Sequence, residues 1–196
     1  AQLRGTADRS RHRGQSNTQR VAIVRSELLE TRCLLSAVAI LADGAVLISD
    51  NVGNVHDSIS LSVEQSNLRI SDPANPVMAT FGVTQIDTHT VDVPLSSLTG
   101  SLFISLAGGN DSVTILSDLE VPGDFIEDSD ALTIRASIST GGIHTYSGRV
   151  AIGEPLAANS SLINPIELSG TEIRFLSTLN AVQGETPFAT ITGSTL

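Results

Sequence analysis

From Asp43 onward, apolar and polar residues alternate in short runs, and each run is bounded by Gly, Asp, Asn or Pro. Segments 45–49, 58–63, 67–71, 102–106, 112–116 and 131–135 carry Val, Ile or Leu at every second position or nearly so. A period of two places those residues on one side of an extended chain, and β-branched side chains fit a half-buried pleated surface. Pro73, Pro76, Pro94, Pro122, Pro155, Pro165 and Pro187 fall between the runs and interrupt any helical reading. The pattern predicts an all-β domain over residues 43–196, preceded by a leader over 1–42.

Repetition chooses among β architectures. Phe81, Phe103, Phe125 and Tyr146 are spaced by 22, 22 and 21 residues, Leu168 and Phe188 continue the series, and Phe175 alone stands off it. One lap of a parallel β-helix uses roughly 20–25 residues. Such spacing therefore predicts a right-handed parallel β-helix, a β-solenoid, with one bulky residue per lap stacked in an interior column. A β-sandwich is the alternative. A second similarity sets Asn54-Val55-His56-Asp57-Ser58-Ile59-Ser60-Leu61 beside Gly108-Gly109-Asn110-Asp111-Ser112-Val113-Thr114-Ile115 at an offset of 54, with Asp130-Ala131-Leu132-Thr133-Ile134 a looser third copy. That offset is no multiple of 22. Either the early laps differ in length, or an Asp simply begins similar strands.

Charge also divides the chain, between residues 32 and 33. Residues 1–32 hold seven arginines against Asp8, Glu27 and Glu30, a net of +4, whereas residues 33–196 hold four arginines against 18 acids, a net of −14. Lysine is absent from the sequence. A body this acidic repels phosphate backbones, so nucleic acid is not its expected partner, and cations or basic surfaces are. No apolar run is long enough for a membrane span, so no integral span is expected in the body. The single cysteine, Cys33, excludes an internal disulfide framework and reads as a small apolar residue.

The leader reads either as a disordered or helical segment, with a helix over 21–35, or as an export signal. Arginines precede the uncharged stretch 33–42, and Ala37-Val38-Ala39 supplies a small-residue site. Leu29-Glu30-Thr31-Arg32-Cys33-Leu34-Leu35-Ser36-Ala37 resembles the short N-terminal motif of planctomycete extracellular proteins, whose core reads Leu-Glu-x-Arg-x-Leu-Leu-Ser-Ala. The resemblance implies export to the cell surface or beyond and implies no activity. The body is similar, more loosely, to β-solenoid surface proteins of the same bacteria. Leu98-Thr99-Gly100-Ser101-Leu102 with Ala107-Gly108-Gly109-Asn110-Asp111-Ser112-Val113 is similar to their strand and Gly-Asn-Asp turn. Residues 139–148 with Val150-Ala151-Ile152-Gly153 are similar to a haemagglutinin-like repeat.

Candidate chemistry is sparse. Gly108-Gly109-Asn110-Asp111 is half of a calcium nonapeptide turn, which makes Asn110 and Asp111 candidate oxygen ligands for Ca²⁺, the one cofactor the sequence suggests. An Asx turn without an ion is the plainer reading. Glu127, Asp128 and Asp130, with Asp124 nearby, form the densest acidic cluster, and paired carboxylates suit glycoside cleavage. Asp128 and Asp130 share a face of an extended strand, and Glu127 takes the other. The plainer reading is a solvated loop. His12, His56, His89 and His144 lack metal-ligand spacing and read as exposed turn or strand residues. The expectation is an exported structural or adhesive module without catalytic activity, facing a cell-envelope component, a polysaccharide or a protein. Alternatives are a carbohydrate-active β-helix enzyme and a calcium-stabilised binding module.

Overall fold

A computed structural model describes residues 37–51, 55–153, 166–181 and 189–195. The chain divides into two compact units, Ala1–Arg32 and Cys33–Leu196, and every described residue lies in the second. The helix expected over 21–35, Cys33, and the export motif up to Ser36 lie outside the described residues. The described part is all-β, in a ten-stranded and an eight-stranded sheet.

The first strands run antiparallel. β1 (Ala37–Ala42) and β2 (Ala45–Asp50) form a hairpin, so six residues assigned to the leader pair with the body. Its tip, Asp43-Gly44, has φ of 51° and 79°, the two left-handed positions of a tight hairpin turn that an Asp-Gly pair suits. β3 (Ser58–Glu64) turns back through Gln65-Ser66 into β4 (Asn67–Ser71). The chain then crosses to lay β5 (Val77–Ala79) beside β1, and returns with β6 (Thr84–Asp87) and β7 (Thr90–Pro94) beyond β4. β5 is an outer strand of its sheet, and the Gln85 side chain closes its edge. The Gln85 Oε1 accepts the Ala79 N–H at 2.7 Å, and its Nε2 donates to the Val77 carbonyl at 2.8 Å. A side-chain amide thus stands in for a neighbouring strand, one way of blunting an edge that otherwise recruits other chains.

After a 3₁₀ turn at Leu95–Ser97 the pairing becomes parallel. β8 (Leu102–Ser105), β9 (Ser112–Ile115) and β10 (Leu119–Val121) are followed by β11 (Phe125–Asp128), β12 (Ala131–Ile134) and β13 (Ile138–Thr140). Then come β14 (Ile143–Tyr146), β15 (Arg149–Ile152), β16 (Ile166–Phe175), β17 (Leu179–Ala181) and β18 (Ala189–Thr195). Three parallel ladders result. In the first, Val46, Leu102, Phe125, His144 and Ile173 stand in register, as do Ile48, Ile104, Glu127, Tyr146 and Phe175. The second aligns Ile59, Val113, Leu132 and Val150. The third aligns Leu119, Ile138, Leu168 and Ile191. One cluster of buried hydrophobic residues, mostly aliphatic with Phe125 and Tyr146, joins all three.

These registers correct the expected column of one bulky residue every 22. Steps along the first ladder are 56, 23, 19 and 29 residues, because the corners between strands differ in length. Phe125 stacks between Leu102 and His144. Phe103 is one residue out of step, so it faces outward beside Ile126, since a slip of one residue flips a side chain to the other face. Phe81 is 82% exposed, Leu168 belongs to the third ladder, and Phe188 lies outside the described residues. Phe175, which the spacing excluded, stacks on Tyr146 with ring centroids 5.2 Å apart. The offset of 54, by contrast, is the register of β3 against β9, with Ser58 opposite Ser112 and Leu61 opposite Ile115. The excursion through β4–β7 lengthens that lap.

Gln65 and Ser66 have φ of 49° and 68°, a conformation that costs a residue bearing a Cβ about 1 kcal/mol. Ser66→Gly is expected to raise the unfolding free energy by roughly 0.5–1 kcal/mol, read as a higher urea midpoint at unchanged slope. An unchanged or lower midpoint contradicts a relaxed fit of glycine there.

Candidate functional site

The acids that looked like candidate ligands and catalysts are placed at the corners between strands. The Asp111 Oδ1 accepts the Asp57 backbone N–H at 2.9 Å, and the Asp111 N–H donates to the Asp130 Oδ2 at 2.8 Å. Asp72 extends the series, its Oδ2 accepting the Ser58 N–H at 2.9 Å. At a second corner the Asp124 Oδ1 accepts the Ile143 N–H at 2.8 Å, and at a third the Asp118 Oδ1 accepts the Ser137 N–H at 2.8 Å. Where strands leave a ladder, their N–H groups lose a carbonyl partner, and a short side chain bearing an acceptor replaces it. Corners also pack closely. Gly123 donates its N–H to the Gly100 carbonyl, and a Cβ there would lie 2.5 Å from the Ser101 Oγ.

A polar chain lies inside the ladders. Glu127, Tyr146 and His144 are all 0% exposed. The His144 Nε2 faces the Ser169 carbonyl at 2.9 Å and therefore carries the proton, which leaves Nδ1 to accept the Tyr146 hydroxyl at 2.7 Å. Burial lowers the His144 pKa, so the ring is neutral near pH 7. Burial likewise raises the Tyr146 hydroxyl, which stays protonated. Glu127 accepts a hydrogen bond from the Ser129 hydroxyl through Oε1, while its Oε2 has no partner among the described residues. Burial pushes the Glu127 carboxyl up to about 7.

A groove of about 520 Å³ lies beside β10. Val63 at the end of β3, Leu95 and Leu98 around the 3₁₀ turn, and Leu119 and Pro122 line its apolar part. Asp118 and Glu120, with Ser137 and Ser139, line its polar part. The apolar part includes Val63 because β3 runs past the corner into its hairpin, carrying Val63 beyond the ladder.

The structure brings together Asp57, Asp111 and Asp130, which stand in similar sequence settings, as acceptors and donors along one corner. Asn110 is exposed and donates its N–H to the His56 Nδ1 at 2.7 Å. Among the described residues no group of three or more His, Cys, Asp or Glu side chains is set to hold a metal ion. Asp128 is exposed at the end of β11, Asp130 is engaged with Asp111, and Glu127 is buried, so the expected solvated loop is in part interior. His144, expected at the surface, is buried; the one signal for it in the sequence is that it shares strand parity with Tyr146. The groove was not legible, because Val63, Leu98, Leu119 and Ser139 come from separate segments. Comparison of the chain with protein-family models, curated proteins and solved structures finds no match.

Glu127 binds its proton more tightly folded than unfolded, where its pKa is 4.5. Its contribution is therefore complete below pH 4.5 and is lost as pH rises through about 7, by roughly 3 kcal/mol overall. His144 acts in the opposite sense, favouring the unfolded state as pH falls below 6.5. Glu127→Gln isolates the first effect. The variant is expected to gain on the parent protein steadily between pH 4.5 and 7 in urea-unfolding titrations. A difference that does not change with pH would falsify the buried, proton-binding assignment.

Proposed function

We propose that this chain is an exported, non-enzymatic structural or adhesive surface module whose body winds as a right-handed parallel β-helix. Parallel pairing along three ladders supports winding over a sandwich, whose sheets are antiparallel. The observation that carries the role is the use of the acids. Asp111, Asp118, Asp124 and Asp130 each accept a backbone N–H from a neighbouring lap, so each of these four carboxylates serves the scaffold. Export rests on the resemblance at residues 29–37. The acid excess of the body directs it toward cationic or basic partners on the envelope rather than toward nucleic acid.

The scaffold role of the acids has a specific signature. Asp124→Ala removes the acceptor of the Ile143 N–H and is expected to lower stability by about 1–2 kcal/mol, whereas Asp124→Asn keeps a carbonyl oxygen there and loses far less. Equal losses in the two variants contradict the role. For function, the full chain is expected to be retained on isolated cell-envelope material and to release no product from a polysaccharide panel. Product formation that disappears in Asp128→Asn or Asp130→Asn overturns the reading in favour of a carbohydrate-active enzyme. A rise in melting temperature with millimolar Ca²⁺ that vanishes in Asp111→Ala assigns Asn110 and Asp111 to calcium instead.

A further inference from the structure

The third ladder has an open end. β10 pairs with β13 on one side and is the terminal strand of the ten-stranded sheet on the other. The first lap supplies no strand to this ladder, because after β3 the chain departs through β4–β7 and re-enters at β8. The direction of each backbone group follows from the observed bonds. The Leu119 N–H donates to the Ser137 carbonyl at 2.9 Å, and the Val121 carbonyl accepts the Gly141 N–H at 2.9 Å, both toward β13. Successive residues of a strand turn their N–H and C=O to opposite sides, so the N–H and C=O of Glu120 face the open side. Among the described residues neither has a backbone partner.

The groove borders that edge. Its apolar part includes Val63, Leu95 and Leu98. The ionisable residues that line it, Asp118 and Glu120, are both acids. The body carries a net of −14, and of its four arginines Arg69 is bonded to Glu64 and Asp92 while Arg174 is bonded to Glu172. A second copy of this body would bring acid to acid. A glutamate on an exposed edge repels acidic strands and admits basic ones.

We propose that this groove takes an extended, cationic segment of a partner protein, added as a strand against the open edge of β10. The partner's backbone pairs with the N–H and C=O of Glu120. Alternate side chains then face the apolar part of the groove and the carboxylates of Asp118 and Glu120, the usual division of labour when a peptide joins a sheet edge. The assignment deepens the surface-module reading by naming the chemistry of the partner, and it rests on the β10 edge rather than on export.

The test uses the full chain and fluorescein-labelled peptides of about six residues, the length of an ordinary strand. Alternating Arg–Val, Ser–Val and Glu–Val peptides are titrated by anisotropy at low ionic strength. The Arg–Val peptide is expected to saturate at least about tenfold more tightly than Ser–Val, and Glu–Val is expected not to bind. Glu120→Pro deletes the outward N–H together with the carboxylate and is expected to abolish binding at an unchanged melting temperature, whereas Glu120→Gln keeps the N–H and is expected only to weaken it. A second arm needs no variant: an Arg–Val peptide N-methylated at every amide keeps its charge but has no N–H to donate from either edge, and is expected not to bind. Equal binding of the methylated peptide, or of Glu–Val, overturns the proposal, as does a neutral polysaccharide that binds the parent chain and not Glu120→Pro. Retention on envelope material without Arg–Val binding removes this site and leaves the surface role; Arg–Val binding without retention does the reverse.

Discussion

Backbone hydrogen bonding between parallel neighbours is the constraint on which everything else here depends. A strand can satisfy its N–H and C=O groups only if another strand lies beside it, and parallel strands must be joined by a connection that leaves the ladder and comes back. Every such connection has corners, and every corner strands donors. In this chain the stranded donors are met by short acceptors: Asp111 for Asp57, Asp130 for Asp111, Asp124 for Ile143, Asp118 for Ser137, and the Ser101 hydroxyl for Asp124. The acidity of the body is in this sense partly architectural. A carboxylate reaches a neighbouring backbone with few rotatable bonds to fix, and it needs no hydrogen of its own to accept.

The interior follows a different rule. Its columns are aliphatic except along the first ladder, where Glu127, His144 and Tyr146 occupy positions that their neighbours give to Ile and Phe. His144 and Tyr146 complete each other and reach the Ser169 carbonyl, and the aromatic group continues through Phe125 and Phe175. Glu127 is less fully satisfied, with one oxygen on Ser129 and a raised pKa. Burying a carboxyl this way costs stability at neutral pH, whereas the buried His144 costs stability as pH falls, so the two oppose each other.

The first lap governs both what is closed and what is left open. By sending β4–β7 outward, the chain builds antiparallel strands at this end and closes the β5 edge with Gln85. The same detour withholds a third strand, which leaves β10 as an edge and creates the groove next to it. Closure at one edge and access at another are consequences of a single insertion.

Much of the secondary structure was legible without coordinates. Alternation of Val, Ile and Leu with Ser and Thr marks strands because the side-chain period of an extended chain is two, and all six alternating runs contain one. The copy beginning at Asp57 and its counterpart at Asp111 also marked a true register, since the same corner needs the same acceptor. The aromatic spacing misled, because ladder register is counted along hydrogen bonds and corners of unequal length absorb any number of residues between them. Glu127 and Asp128 are adjacent in sequence, yet one is interior and the other exposed. Which side of a strand faces the core, which acid meets a backbone N–H, and where an edge lies open depend on strands distant in the chain. Local sequence determines that strands form; only long-range pairing decides what each one faces.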